Sequence, residues 1–230
     1  MTLPPLFAEI PDAFRKLYEP EAPWALLGDP LDAVLDALPS EALGIRPSPD
    51  VHLIGDRIAI GKGTRIGPGT VIHGPVWIGE DVDIRPGAFL RGGCWIGDGA
   101  VVGASTEVKR GILFPGAKAP HLNYVGDSIL GQRVNLGAGT ILSNFRHDAR
   151  EIRIPVEGED AATYLETGRR KLGAVLGDGV LTGCNCVLNP GTVVGRETRI
   201  YPGAVLPPGI YPEASIVKLH QPIEIVPQSR

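Results

Sequence analysis

Cysteine is scarce: Cys94, Cys184 and Cys186 are the only three in 230 residues. An odd, small number argues against a disulfide framework, and no second cysteine pair accompanies the Cys184-x-Cys186 spacing, so a zinc site is not expected. Cys94 and Cys186 fall at positions that read as small buried residues. Basic charge is not in excess either. The 22 Lys and Arg are outnumbered by 26 Asp and Glu, giving a net charge of -4 and a pI near 5.7, the wrong balance for coating nucleic acid. The opening MTLPPLFAEIPD carries no basic n-region, and no transmembrane run or lipidation motif occurs. The expected address is the cytoplasm, with neither membrane nor nucleic acid as partner. A P-loop is missing, as is a G-x-G-x-x-G after a strand, and residues 1–48 are too short for a nucleotide-binding α/β domain.

Glycine and proline are abundant, at 31 and 22 residues, and they fall in register. From Ile54 to Phe114 every sixth residue is apolar: Ile54, Ile60, Ile66, Ile72, Ile78, Ile84, Leu90, Ile96, Val102, Val108 and Phe114. A smaller residue often follows four positions later, as at Thr64, Ala88, Cys94 and Thr106. A period of six fits neither a helix nor a simple alternating hairpin; it marks a parallel β-helix of hexapeptide repeats. Three hexads close one triangular coil, so residues eighteen apart stack at the parallel-strand spacing of roughly 4.8 Å. One corner then reads Gly55, His73, Arg91, Lys109. Stacked cations repel unless acidic neighbours or a bound anion offset them, so this edge is either a solvated face or a phosphate or carboxylate site.

Residues 1–48 lie outside the staircase. Phe7, Ile10, Phe14 and Leu17, then Leu31, Val34, Leu35 and Leu38, follow helical spacing, and four prolines delimit two short helices expected to cap the first coil. The β-helix domain runs over residues 49–214. Pro115 to Asn123 reads as a loop thrown out from the coil, after which hexads return at Leu130, Leu136 and Leu142, with Tyr124 in the same phase. A second break, Asn144 to Gly173, contains a β-hairpin arm over residues 146–172, with Glu157 to Asp160 at its turn. The staircase resumes from Leu176 to Leu206, giving about seven coils in all. Residues 215–230 form a tail with a final strand. The fold class is therefore all-β.

Within Gly116 to Phe145 (GAKAPHLNYVGDSILGQRVNLGAGTILSNF) the chain resembles the C-terminal acetyltransferase domain of the bifunctional N-acetylglucosamine-1-phosphate uridyltransferase/glucosamine-1-phosphate acetyltransferase family, which serves UDP-N-acetylglucosamine biosynthesis. The likeness runs from about Arg85 to Gly203. It implies a left-handed β-helix, a homotrimer with active sites between subunits, and acetyl-CoA as cosubstrate, with no metal needed for acetyl transfer. It places the catalytic base on His121. Substrate contacts fall on Arg91, Lys109, Tyr124, Asn135 and Asn144, with Lys171 or Arg150 as a further cation. Arg85, in an RPGA run one hexad displaced from the family's, competes with Arg91 for the phosphate. The acetyl-CoA region falls on Ala138, Cys184 and Pro202. Phe145 stands where the family has tyrosine, Cys184 where it has serine and Pro120 where it has glycine; the hairpin arm is extra and the uridyltransferase half is missing.

Acetyl transfer to a sugar amine needs a base for the amine proton, which a histidine suits, and donors for the thioester oxygen, which the Gly137-Ala138-Gly139 amides suit. Arg91 and Lys109 would hold the acceptor phosphate. The expectation is an acetyl-CoA-dependent N-acetyltransferase of an amino-sugar 1-phosphate. Two rivals are a non-catalytic sugar-phosphate-binding or assembly solenoid, and a γ-class carbonic anhydrase. The second binds zinc through a histidine pair five apart; His52, His73, His121, His147 and His220 have no such spacing.

Overall fold

The computed structural model describes residues 3–39, 41–156, 163–226 and 228. Short parallel strands climb three faces of a prism, forming a left-handed β-helix of about nine turns. Among the described residues, nine strands stack on the first face, from Glu41–Leu43 to Gly209–Tyr211, and eight on the second, from His52–Ile54 to Val205–Leu206. The third face carries four strands from Arg65–Ile66 to Lys118–His121. Asn135 bridges them to three more, from Leu181–Thr182 to Ile216–Val217. The turns beyond the seven counted from hexads lie at both ends. Glu41–Leu43 precedes the first hexad, inside the segment expected as a cap, and pairs with Ile58–Ile60. Gly209–Tyr211 follows Pro207-Pro208, which breaks the six-residue phase.

The hexads fill the interior as their period requires: Ile60, Ile72, Ile78, Ile84, Leu90, Ile96, Val102 and Val108 form one continuous buried core. Each fully buried chain of this kind contributes about 1.5–3 kcal/mol. The two ends of the staircase are one residue out of phase. Ile54 pairs with His73, so Leu53 packs inward and Ile54 is 45% exposed. Above Val108 the coils shorten by one residue, with Ile96, Leu113 and Leu130 in line and Val108, Val125 and Leu142 in line. Leu113 and Val125 therefore enter the core. Phe114 and Tyr124 turn outward, Phe114 under a covering layer and Tyr124 to the second face. The shortened coil also corrects the expected loop: Lys118–His121 is a strand of the third face, with Ala117 and Ala119 buried.

Outward from the first face project Trp77, Trp95, Ile112, Phe114, Ile129, Val175 and Val193, with the two indoles stacked 4.6 Å apart. Such a wide apolar face cannot stay in water, and the N-terminal segment covers it. Leu6, Phe14, Trp24, Leu26, Leu27, Leu31 and Leu35 are all buried against it. The segment is a strap along the side of the solenoid, not a cap over its first coil. Asp178 fastens it, accepting from the amides of Ala8 and Gln132, both at 2.7 Å. Only Asp29–Asp36 is α-helical among the described residues, after a 3-10 turn at Pro23–Leu27. The spacing of Phe7 to Leu17 serves turns instead, where Pro4, Pro5 and Pro11 remove donors a helix would need.

The arm is an antiparallel pair, Arg153–Val156 with Thr163–Glu166; the expected turn at Glu157 to Asp160 lies outside the described residues. Its base is not free: Ile152, Ile154 and Leu172 join the strap's apolar layer. Among the described residues of the tail, only Ile216–Val217 pairs, and Ile223 and Ile225 beyond it are exposed. No helix of the described residues is long and apolar enough to cross a membrane.

Candidate active site

On the second face the cationic column is real, with one change. His73, Arg91 and Lys109 follow one another up the ladder, but the phase slip at Ile54 removes Gly55. Above Lys109 the column ends on Gly126. A Cβ at Gly126 would press on the Tyr124 ring and hydroxyl and on the Asn144 amide, each 2.7 Å away; glycine lets these two side chains close over the column.

Arg91, Lys109, Tyr124, Asn144, Phe145 and Lys171 line one cavity of about 310 Å³. Five of the six expected substrate contacts are thus brought together. Lys171 reaches the cavity because both ends of the second break are pinned. Phe145 bridges Lys171 in antiparallel fashion, and the Leu172 amide donates to the Asn144 carbonyl at 3.1 Å. Arg150, its competitor, lines a different cavity with Arg146, Arg153 and Arg170. Asn135 is the exception and does not join this group. It lies on the third face, where its backbone carries the ladder between Lys118 and Leu181.

The cavity's charges are held by carboxylates. Arg91 donates to Glu107 at 2.8 Å, and Lys109 pairs with Asp127 at 2.7 Å. Asp127 is buried and also accepts from Asn144 Nδ2. It thereby orients two cavity side chains, a role the sequence reading did not assign; the available signal was a carboxylate at a buried coil position near a stacked cation. Three cations against two carboxylates leave one positive charge over. Burial pushes the Tyr124 phenol above its ordinary pKa, and the charges of Glu107 and Asp127 push the same way. Tyr124 therefore stays a neutral hydroxyl, 3.4 Å from Asn144 Oδ1.

His121 ends the strand Lys118–His121 of the third face, after which the chain turns the corner to Tyr124. Leu122 makes that turn with a φ of 51°, in the left-handed region. Asn123, buried, ties the corner down: its Oδ1 accepts from the His121 amide at 3.1 Å and its Nδ2 donates to the Gly137 carbonyl at 2.8 Å. The expected acetyl-CoA residues stack on the same corner. The Gly139 amide donates to His121 O, the Asn185 amide to Ala138 O and the Gly203 amide to Cys184 O, while Pro202 packs where a Gly183 side chain would be. One expectation fails here. The Gly137 and Gly139 amides already donate to neighbouring coils, to Thr182 and His121, so of that turn only the Ala138 amide has no partner among the described residues.

Arg85 does not enter the cavity. Its Nε donates to Asp83 at 3.1 Å, and its Nη1 to the Pro120 carbonyl at 3.3 Å. Of the two arginines, Arg91 lines the cavity and Arg85 does not.

The family model "Bacterial transferase hexapeptide (six repeats)" matches residues 57–92 and 173–208. A bifunctional sugar-1-phosphate nucleotidylyltransferase/acetyltransferase of Sulfurisphaera tokodaii is 48% identical over 105 residues, 46% of this chain and 25% of that protein. A bifunctional protein GlmU of Methanococcus maripaludis is 36% identical over 117 residues, 51% of this chain and 27% of that protein. The chain thus spans about a quarter of the length of these relatives. A crystal structure of a Francisella novicida UDP-N-acetylglucosamine acyltransferase aligns over 69% of this chain and 59% of that one, with 17% identity and a TM-score of 0.28, a likeness too weak to carry an argument. What this chain carries is a run of hexapeptide repeats and, over about half its length, homology to the C-terminal acetyltransferase region of bifunctional GlmU-type proteins.

Proposed function

We propose that the chain is an acetyl-CoA-dependent N-acetyltransferase whose acceptor is an amino-sugar 1-phosphate of the glucosamine 1-phosphate type. The observation that carries this reading is the cavity of Arg91, Lys109, Tyr124, Asn144 and Lys171, joined through the strand Tyr124–Gly126 to the corner that bears His121. A phosphate monoester suits a pocket with one cation in excess, because it adds charge-assisted hydrogen bonds to Arg91 and Lys109 without stranding a carboxylate. Tyr124 and Asn144 offer neutral hydrogen bonds for sugar hydroxyls. Acetyl-CoA lies along the Ala138, Cys184 and Pro202 corner in this reading. The Ala138 amide, free within the coil, donates to the thioester oxygen as charge develops there. The amine nitrogen attacks the thioester carbon and His121 takes the amine proton. The carbon–sulfur bond breaks, and CoA leaves as a thiolate that a proton then neutralises. A homotrimer fits the same reading, with partner subunits closing the open side of each corner.

The phosphate dependence tests it. Arg91→Ala and Lys109→Ala should each raise the KM for glucosamine 1-phosphate with kcat little changed, and free glucosamine should be a correspondingly poor acceptor for the wild type. Equal kcat/KM for glucosamine and its 1-phosphate would remove the phosphate from the reading.

A further inference from the structure

Arg85 lies on the third face two coils below His121. The intervening residue in line with it is Gly103, whose amide-bearing carbon faces the Pro120 carbonyl so closely that a Cβ would collide with it. With no side chain between, the guanidinium spans the gap. Its Nη1 donates to Pro120 O and stands 3.3 Å from His121 Nε2. Asp83 holds the other end through Nε, and Arg65 lies 3.8 Å from the same carboxylate.

A guanidinium has five N–H donors and no acceptor. His121 Nε2 can therefore only accept in this contact, which puts the proton of the neutral ring on Nδ1. The hydrogen bond made at one ring nitrogen sets which nitrogen is protonated. We propose that Arg85 is the positioning residue of His121: it fixes the ring and sets its tautomer, with the proton on Nδ1 and the single lone pair on Nε2, and its Nη1–H must give up that lone pair when the acceptor amine presents its proton. The two arginines six apart in sequence thus divide the work, Arg91 on the acceptor's pocket and Arg85 on the base. The contribution to turnover rests on His121 being the base; the contribution to the ring's tautomer does not.

The test reads the ring directly. Long-range 15N–1H spectra of the uniformly 15N-labelled protein, with His121 assigned by its loss in His121→Asn, should show Nδ1 protonated and Nε2 bare. Arg85→Met, which keeps length and loses every donor, should shift the ring toward the other tautomer. It should also lower kcat about 10- to 100-fold, less than the 10²–10⁴ of a general base itself, with the KM for sugar phosphate unchanged. Arg85→Lys, which restores a donor, should recover the wild-type ring spectrum and part of kcat. A wild-type ring protonated on Nε2, or a ring spectrum unaltered by Arg85→Met, would overturn the proposal. Should Arg85→Met not fold, the wild-type and Arg85→Lys spectra decide it. If His121→Ala keeps full turnover while the ring spectra behave as expected, Arg85 still positions the ring and it is the assignment of the base that falls.

Discussion

Asp127 offers the sharpest energetic test of how the cavity is built. It is a carboxylate with side-chain exposure of 2%, paired to Lys109 at 2.7 Å and accepting from Asn144. Removing one member of a buried ion pair costs about 3–5 kcal/mol, because the other charge stays behind uncompensated. Lys109 retains 22% exposure and can turn its ammonium toward water, which lowers the expectation for Asp127→Ala to about 2–3 kcal/mol. At about 2–4 °C per kcal/mol for a chain of this size, the melting temperature should fall by about 4–12 °C. Removing both charges should be cheaper than removing one, since a pair replaced by apolar groups leaves nothing stranded. Asp127→Ala/Lys109→Met should therefore recover at least half of the loss. Scanning calorimetry on the four proteins of this cycle supplies the numbers. An Asp127→Ala melt within about 1 °C of wild type, or strictly additive losses in the double variant, would refute the reasoning.

Other outcomes follow from neighbouring features. Phe14 is fully buried with its ring centroid 5.3 Å from that of Trp95, so Phe14→Ala should cost about 3–5 kcal/mol in denaturant titration; a loss under about 1 kcal/mol would mean the strap does not hold the first face. Gly103→Ala should force Pro120 away and carry His121 with it, lowering kcat by about 10²-fold if that displacement approaches 1 Å; unchanged kcat would show that the strand absorbs the side chain elsewhere. Burial pushes the Cys94 thiol up to about 11 and raises that of Cys186, whereas Cys184 is exposed. Because the thiolate is the reacting form, a thiol reagent at pH 8 should titrate one cysteine quickly in the native protein and three after denaturation. Rapid reaction of a second native thiol would contradict the buried positions.

The interior of the solenoid was legible because a six-residue period has few structural solutions, and Ile60 to Val108 obey it without a slip. The slips themselves were not. Whether Phe114 or Leu113 faces inward depends on a coil one residue short, and a single strand of two or three residues is apolar on both candidates. Resemblance alone leads to the expectation of Tyr124 at the site, yet it reaches the cavity only because of that shortening. The strap was misread for a physical reason: Phe7, Ile10, Phe14 and Leu17 have helical spacing, but a wide apolar face on the solenoid rewards burial however the chain runs. Arg91 and Lys109 could be placed from stacking alone. Asn135 could not, since motif likeness carries no information on which face of the prism a residue occupies. Asp127, Asn123 and the separation of Arg85 from Arg91 depend on contacts between coils 14–36 residues apart, which a six-residue pattern does not encode.

The most direct measurement is release of free thiol from acetyl-CoA by the purified protein, with glucosamine 1-phosphate beside galactosamine 1-phosphate, for the wild type and His121→Ala. Turnover with an amino-sugar 1-phosphate by the wild type, lost in the variant while its assembly and melting temperature are retained, is the result expected. No turnover by the wild type with either acceptor, or full turnover by His121→Ala, would contradict the central claim. Sugar phosphate still bound in calorimetry without turnover would instead identify a binding protein.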